Sequence, residues 1–163
     1  AENGGKFVLS GGLTLATTQK EYYLKIVAKH FPELLPKYEQ LYDGNYGPDC
    51  KYYGELGKKV SKLCQRYGIS DRMPRYVPEG SLAVNKLVSE KLHNKAYRLE
   101  LDCVASYKLW AYRKAAWTLE DITESVAEIY AQSGKEGLES LQGIGKSLAS
   151  EIEFQLKEIE AGV

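Results

Sequence analysis

LESLQGIGKSLASEI, residues 138–152, is the stretch that decides the fold. Two glycines, Gly143 and Gly145, lie between apolar residues that recur at helical spacing on both sides. These flanking residues are Leu138, Leu141, Leu148, Ala149 and Ile152. Glycine takes positive φ at little cost and lets a backbone approach another group closely. The pattern therefore predicts a short helix, a tight glycine turn and a second helix that begins at about Lys146.

The start of this second helix is the candidate binding site of a helix-hairpin-helix unit. Its free amides and the positive end of its dipole suit an anion, and a nucleic-acid phosphate is the natural candidate. The predicted DNA-binding residues of the turn are Gly143, Ile144, Gly145, Lys146 and Ser147. A Gly-x-Gly sequence between two helices also occurs as a plain tight turn. Ile144, at the tip, is expected to pack against the protein rather than to contact DNA.

Charge is divided unevenly along a chain whose net charge is zero. Residues 1–77 hold 12 Lys and Arg against 8 Asp and Glu, and residues 78–163 hold 10 against 14. The half that contains the glycine turn is therefore the acidic one. Because non-specific DNA affinity comes from phosphate neutralisation by cations, any DNA contact here has to be local.

Several function classes lack support in the sequence. No apolar run reaches the length of a membrane span and no signal peptide is visible, which predicts a cytoplasmic protein without membrane partners. Serine-centred nucleophile motifs, Walker phosphate loops and zinc-ligand spacings are absent. His30 and His93 have no carboxylate or cysteine neighbours at ligand spacing. We therefore expect no catalytic residue in this chain.

The periodicity predicts an all-α protein with two small helical units. The predicted divisions are an extended segment at 1–17, a helical unit at 18–69, a linker at 70–80 and a helix-hairpin-helix domain at 81–163. Ser81 or Asn85 is expected to cap the first helix of that domain. The glycine-punctuated N-terminal segment reads as a strand end with no partner in the helical residues that follow. The interpretation is that the chain is part of a larger protein with its sheet upstream.

A helix predicted at 104–119 interleaves aromatic and basic residues. This composition suits single-stranded or frayed nucleic acid, through stacking combined with phosphate contact. Lys108, Tyr112 and Arg113 are predicted to bind DNA. The competing interpretation, which the spacing favours for Trp110 and Trp117, places both indoles in the protein core.

Residues from about 83 to 160 resemble the N-terminal lyase domain of family X DNA polymerases. The resemblance is carried by AYRKAA (111–116) and LQGIGKSLA (141–149). It implies a hairpin that binds DNA backbone near a 5′-phosphate. It also implies a monovalent cation held by the backbone carbonyls of Glu139, Leu141 and Ile144.

One departure from that family bears on activity. The lyase forms a Schiff base through a lysine amine, and Glu151 occupies that position here. A carboxylate cannot form an imine and repels phosphate. Ser147 stands where a phosphate-binding lysine can occur, although Lys146 precedes it directly. The resemblance therefore implies DNA binding without lyase activity.

Residues from about 5 to 69 resemble the C-terminal tail of radical S-adenosylmethionine proteins similar to spore photoproduct lyase. The carrying stretches are GKFV (5–8), GGLTL (11–15) and HFPELLP (30–36), followed by Tyr38 and by Leu41-Tyr42. The CxxxCxxC motif of such enzymes is missing from these residues. The resemblance implies a parent protein that carries a 4Fe-4S cluster and S-adenosylmethionine upstream of Ala1, with no cofactor in this chain.

Together these observations predict a DNA-backbone-binding module of a DNA-repair radical protein, partnered with DNA and with an upstream catalytic domain. The alternative is a protein–protein interaction module with a helix-hairpin-helix fold and no DNA binding. The acidic balance of residues 78–163 favours that alternative.

Overall fold

A computed structural model describes residues 2–104 and 106–162 of the chain. Within these residues the regular structure is helical and no β-strand is present, so the predicted all-α class is confirmed. In the same part of the chain, no helix combines the length and the apolar character that a membrane crossing needs. The chain divides into two compact units, Ala1–Met73 and Pro74–Val163.

The first unit contains three α-helices and one 3₁₀ turn. They are α1 (Thr17–His30), the 3₁₀ turn (Pro32–Leu34), α2 (Leu35–Leu41) and α3 (Cys50–Tyr67). The Asp49 carboxylate caps α3 by accepting a hydrogen bond from the Tyr52 amide at 2.8 Å. Gly68, with φ of 63°, ends the helix in the left-handed conformation that glycine favours. The helical character predicted for residues 18–69 is therefore confirmed.

The N-terminal extended segment pairs within the same unit. Phe7 and Ser70 form an isolated parallel bridge. The Val8 amide donates to the Ser70 carbonyl at 2.8 Å, and the Ser70 amide donates to the Lys6 carbonyl at 3.1 Å. The expectation that this segment has no partner in the chain is therefore wrong, because the residues after α3 provide one.

Tyrosines form much of the packing of the first unit. The Tyr23 and Tyr38 rings meet edge to face with centroids 5.5 Å apart. A hydrogen bond with Tyr38 raises the pKa of Tyr23 to about 12. Tyr42 is buried, and its hydroxyl donates to the Leu13 carbonyl at 2.8 Å. A tyrosine can thus serve as a core residue whose hydroxyl also fixes a neighbouring loop.

The second unit contains four α-helices that enclose one core. They are α4 (Ala83–Leu101), α5 (Ser106–Asp121), α6 (Val126–Glu139) and α7 (Lys146–Glu160). Every helix contributes to the buried cluster, which includes Val88, Leu92, Ala115, Ala116, Leu119, Val126, Leu138, Ile144, Ala149, Ile152 and Leu156. The apolar residues on both sides of the glycine turn are part of this cluster, so the turn is anchored from both ends.

Asn85 caps a different helix from the one that the sequence predicts. It lies inside α4 and is only 2 % exposed, while Leu82 stands before α4 without a side-chain cap. The Asn85 side chain accepts from the Val126 amide and donates to the Glu124 carbonyl, both at 2.8 Å. The prediction that Asn85 or Ser81 caps α4 is therefore wrong. The Asn85 side chain instead provides hydrogen-bond partners for the backbone at the start of α6, the helix that leads into the hairpin.

Candidate nucleic-acid interface

The hairpin begins at a kink inside α6. Gly134 has φ of 58° and ψ of −146°, a combination that side chains disfavour, and it separates the first part of α6 from a one-turn arm at 135–139. A Cβ on Gly134 would meet nothing within 4 Å. Backbone conformation rather than lack of space therefore requires glycine here. The predicted short helix before the turn is confirmed.

The turn itself, residues 140–145, is held by short local hydrogen bonds. The Ser140 hydroxyl donates to the Gly137 carbonyl at 2.7 Å, and the Ile144 amide donates to the Leu141 carbonyl at 3.1 Å. The Ile144 side chain is only 3 % exposed and is part of the core. Ile144 can therefore contribute only main-chain atoms to a DNA contact, as its position at the tip suggested.

The two glycines of the turn differ in what the fold asks of them. Gly143 has φ of 76°, which explains glycine at that position. Gly145 has φ of −93° and ψ of 177°, an extended conformation open to any residue. A Cβ on Gly145 would meet nothing within 4 Å, and both glycines are exposed. The fold therefore does not require glycine at position 145, and the glycine there leaves the backbone exposed and uncovered by a side chain.

The first amides of α7 are available to a ligand. Gly145 is the N-cap and makes no side-chain capping bond, while its carbonyl accepts from the Ala149 amide at 2.9 Å. Among the described residues, no acceptor is present for the amides of Lys146, Ser147 and Leu148. The Lys146 and Ser147 side chains are exposed. This helix end offers several donors and a positive dipole to an anion.

Most basic side chains of the second unit are already paired with carboxylates. Lys91 pairs with Glu158, Lys95 with Glu151, Arg113 with Glu100, Arg75 and Lys86 with Glu120, and Lys135 and Lys157 with Glu153. Within the described residues of this unit, the cations without an ion pair are Arg98, Lys108, Lys114 and Lys146. Local positive charge thus remains at the hairpin and on α5 despite the acidic balance.

Glu153 is the most heavily engaged of these carboxylates. Hydrogen bonds from Lys135, Lys157 and Tyr130 lower the pKa of Glu153 to about 2. The two lysines lie 2.8 Å away, and the Tyr130 hydroxyl donates at 2.7 Å. Glu153 therefore links the hairpin arm to α7, and the two lysines balance its negative charge.

The three contacts predicted on α5 have different surroundings. Lys108 is exposed and unpaired within the described residues. Tyr112 is only 8 % exposed and belongs to the core, which leaves little of its side chain for the predicted contact with DNA. The Arg113 guanidinium lies 2.8 Å from a Glu100 carboxylate oxygen and 5.3 Å from the centroid of the Trp110 ring. Its charge is therefore largely balanced inside the protein.

Trp110 and Trp117 point away from the core. They are 45 % and 44 % exposed, and their ring centroids are 6.0 Å apart. The buried residues of α5 lie on its opposite side and are Leu109, Tyr112, Ala115, Ala116 and Leu119. The interpretation that placed both indoles in the core is wrong. Helical phase could have shown this, because residues seven apart share a face opposite a pair of buried alanines.

Thr118 connects this helix to the hairpin, and sequence reasoning missed it. Its hydroxyl donates to the Gln142 carbonyl at 3.0 Å, directly before Gly143. A threonine inside a helix gives no sequence signal for such a contact. It places the C-terminal half of α5 beside the glycine turn.

Glu151 and Lys95 face a cleft of about 610 Å³ between α4 and α7. The two side chains form an ion pair, and the Gln155 amide donates to Glu151 at 2.9 Å. Burial lowers the pKa of Lys95, but the hydrogen bond and the charge of Glu151 outweigh it and raise this pKa above the ordinary value. A protonated amine is not a nucleophile, so the Lys95 amine beside Glu151 is not poised to form a Schiff base.

The carbonyls proposed for a monovalent cation keep free lone pairs. The Leu141 carbonyl accepts one hydrogen bond, from Ile144, and has a second lone pair. In the described part of the chain, no loop amide donates to the carbonyls of Glu139 and Ile144. These oxygens suit a hard monovalent ion, and the site stays a prediction. Among the same residues, no cluster of three or more His, Cys, Asp or Glu side chains is arranged to hold a metal.

Comparison with protein families agrees with this geometry. Residues 83–160 match the family model described as a helix-hairpin-helix domain. The C-terminal part of the chain therefore contains a helix-hairpin-helix domain, a class that commonly binds DNA without sequence specificity. No curated protein and no solved structure matches the chain.

Proposed function

We propose that the second unit binds the DNA backbone without reading base sequence, through main-chain amides at the start of α7. The observation that carries this proposal is the bare, exposed backbone at Gly145, followed by three amides without acceptors. A phosphate group can accept the hydrogen bonds that these amides offer, and its negative charge suits the positive end of the helix dipole. Because phosphates are alike at every base pair, such contacts hold a protein on DNA without selecting a sequence.

The substitution Gly145→Ser separates binding from folding. Serine is a preferred N-cap residue and its side chain would enter open space, so α7 should stay intact. The serine oxygen would accept from an amide two or three residues later and occupy the place of a phosphate oxygen. Gly11→Ser is a matched control, because Gly11 also faces open space at ordinary φ but lies in the first unit.

Fluorescence anisotropy with a labelled gapped duplex measures the effect. We expect the wild type and Gly11→Ser to bind alike, and Gly145→Ser to bind at least about tenfold more weakly. A tenfold loss corresponds to about 1.4 kcal/mol, close to one hydrogen bond to a charged group. Melting followed by circular dichroism should be the same for all three proteins. Equal DNA affinity of all three would refute the proposal.

The second candidate function is a protein-interaction module with no DNA binding. Residues 78–163 carry 14 Asp and Glu against 10 Lys and Arg, which disfavours a polyanion and suits a basic protein surface. If the wild type binds neither gapped nor blunt duplex at low ionic strength, this second function replaces the first.

A wider proposal rests on the sequence resemblance of residues 5–69 alone. In it, the module holds a cytoplasmic DNA-repair radical protein on its substrate, and the 4Fe-4S cluster and S-adenosylmethionine bind outside this chain. The three cysteines here, Cys50, Cys64 and Cys103, lack the spacing that a cluster needs, so we expect no turnover from residues 1–163. Reading the coding sequence upstream of Ala1 tests this proposal, and the absence of a three-cysteine motif there would refute it.

A further inference from the structure

The exposed face of α5 carries the two tryptophans of the protein side by side. Nearly half of each side chain is accessible, and the rings are tilted by 57° with centroids 6.0 Å apart. The core-facing side of α5 is complete without them. The two indoles add nothing to the core and remain on the surface, so their ring faces are available for stacking.

The charges around this pair are suited to a polyanion. Lys114 lies between the two indoles in sequence, is exposed, and has no ion pair among the described residues. Lys108 is also exposed, but it lies two residues before Trp110 and therefore projects from another side of the helix. Arg113 covers part of Trp110 while its charge is balanced by Glu100. Asp121, one turn beyond Trp117, bounds the face with a negative charge.

The same face is continuous with the proposed backbone site. Thr118 follows Trp117 directly and donates to the Gln142 carbonyl at 3.0 Å, next to Gly143. Lys114 lies one helical turn before Thr118, about 6 Å along the axis. A strand whose phosphate is held at the start of α7 can therefore extend its next nucleotides along α5.

We propose that Trp110 and Trp117 form a stacking platform for unpaired bases next to the backbone site, so that the preferred ligand is DNA with a single-stranded segment. Every base has a π-face, so the platform accepts any sequence, and Lys114 contacts a phosphate of the unpaired strand. This inference rests on the proposed backbone function and names its ligand class. A basic protein partner, by contrast, would meet the positive charge of Lys114 on this face, which has no ion pair among the described residues.

Intrinsic tryptophan fluorescence tests the platform directly, because the chain has no other tryptophan. Excitation at a wavelength that spares tyrosine reports on these two indoles, and a base stacked on an indole quenches it. The unmodified protein is titrated with a blunt duplex, the same duplex with a single-stranded overhang, and the overhang strand alone. Anisotropy of labelled DNA is recorded in parallel.

We expect saturable quenching by the overhang duplex and by the single strand, and none by the blunt duplex. The overhang duplex should bind between about fivefold and about a hundredfold more tightly than the blunt one, the range expected for one stacked base. Trp117→Ala should remove this advantage and leave blunt-duplex binding unchanged. Lys114→Ala, at an exposed position that leaves the core intact, should weaken only the overhang and single-strand complexes.

The outcomes separate this inference from the function on which it rests. If both duplexes bind equally and neither quenches, the platform is refuted and backbone binding stands. If Gly145→Ser loses the blunt duplex but is still quenched by the single strand, both proposals are supported, because the substitution removes the backbone contact and leaves the stacking platform. If no oligonucleotide changes the fluorescence and none binds, both proposals fail and the indoles belong to a protein interface.

Discussion

Removal of the Asn85 side chain should destabilise the second unit far more than its polar character suggests. Asn85→Ala deletes two buried hydrogen bonds of 2.8 Å, to the Val126 amide and the Glu124 carbonyl. Each bond is worth about 1 kcal/mol, and stranding buried partners at the start of α6 adds about 1–2 kcal/mol. Alanine is the better helix former inside α4 by about 0.5 kcal/mol. We therefore expect a net loss of about 2.5–3.5 kcal/mol.

Thermal unfolding followed by tryptophan fluorescence measures this loss in one unit only, since Trp110 and Trp117 both lie in the second unit. For a domain of this size the loss corresponds to a fall in Tm of about 10 to 20 °C. Arg98→Ala, at an exposed site on the same helix, is the control and should stay within about 0.5 kcal/mol. If Asn85→Ala has the same Tm as Arg98→Ala, the capping argument is wrong.

Three further predictions follow from the described contacts. The pKa of Glu153 is lowered from 4.5 to about 2, so its contribution to stability is complete above pH about 4.5 and is lost as pH falls toward 2. Glu153→Gln should therefore reduce the loss of stability at acid pH in a titration followed by circular dichroism. An unchanged acid limb would contradict this. Leu138→Ala removes a fully buried side chain from the hairpin arm and should cost about 2–5 kcal/mol in urea unfolding, whereas a cost below 1 kcal/mol would mean that the arm is not anchored there. Borohydride should trap no adduct between the wild type and an abasic oligonucleotide, because Glu151 keeps the Lys95 amine protonated; a covalent adduct would show that an amine of this chain reacts.

Sequence periodicity was sufficient for the helices and for the hairpin. The apolar residues around Gly143 and Gly145 recur at helical spacing and lie in the core or pack against it. Their spacing therefore indicates which side of each helix faces the core. The family model confirms the domain over residues 83–160. The two ends of α3 carry residue types that favour such positions, Asp49 at the N-cap and Gly68 at the C-cap.

Long-range partners were beyond the reach of sequence reasoning. Asn85 caps a helix 41 residues later, and nothing in its neighbourhood indicates which helix needs it. The pairing of Phe7 with Ser70 likewise depends on how three helices bring the two ends of the first unit together. The exposure of Trp110 was missed for another reason. The spacing of Trp110 and Trp117 shows that they share a face of α5, but it does not by itself show whether that face is the buried one.

The kink at Gly134 gives a way to recognise related chains that have lost this hairpin. Any side chain at that position would favour a straight α6, and the arm at 135–139 would then continue along the helix axis and carry the turn out of the core. A relative could therefore keep the whole Gly-Ile-Gly signature and still fail to present it, if position 134 is not glycine. The residue that preserves the presentation of the motif lies nine residues before the motif itself.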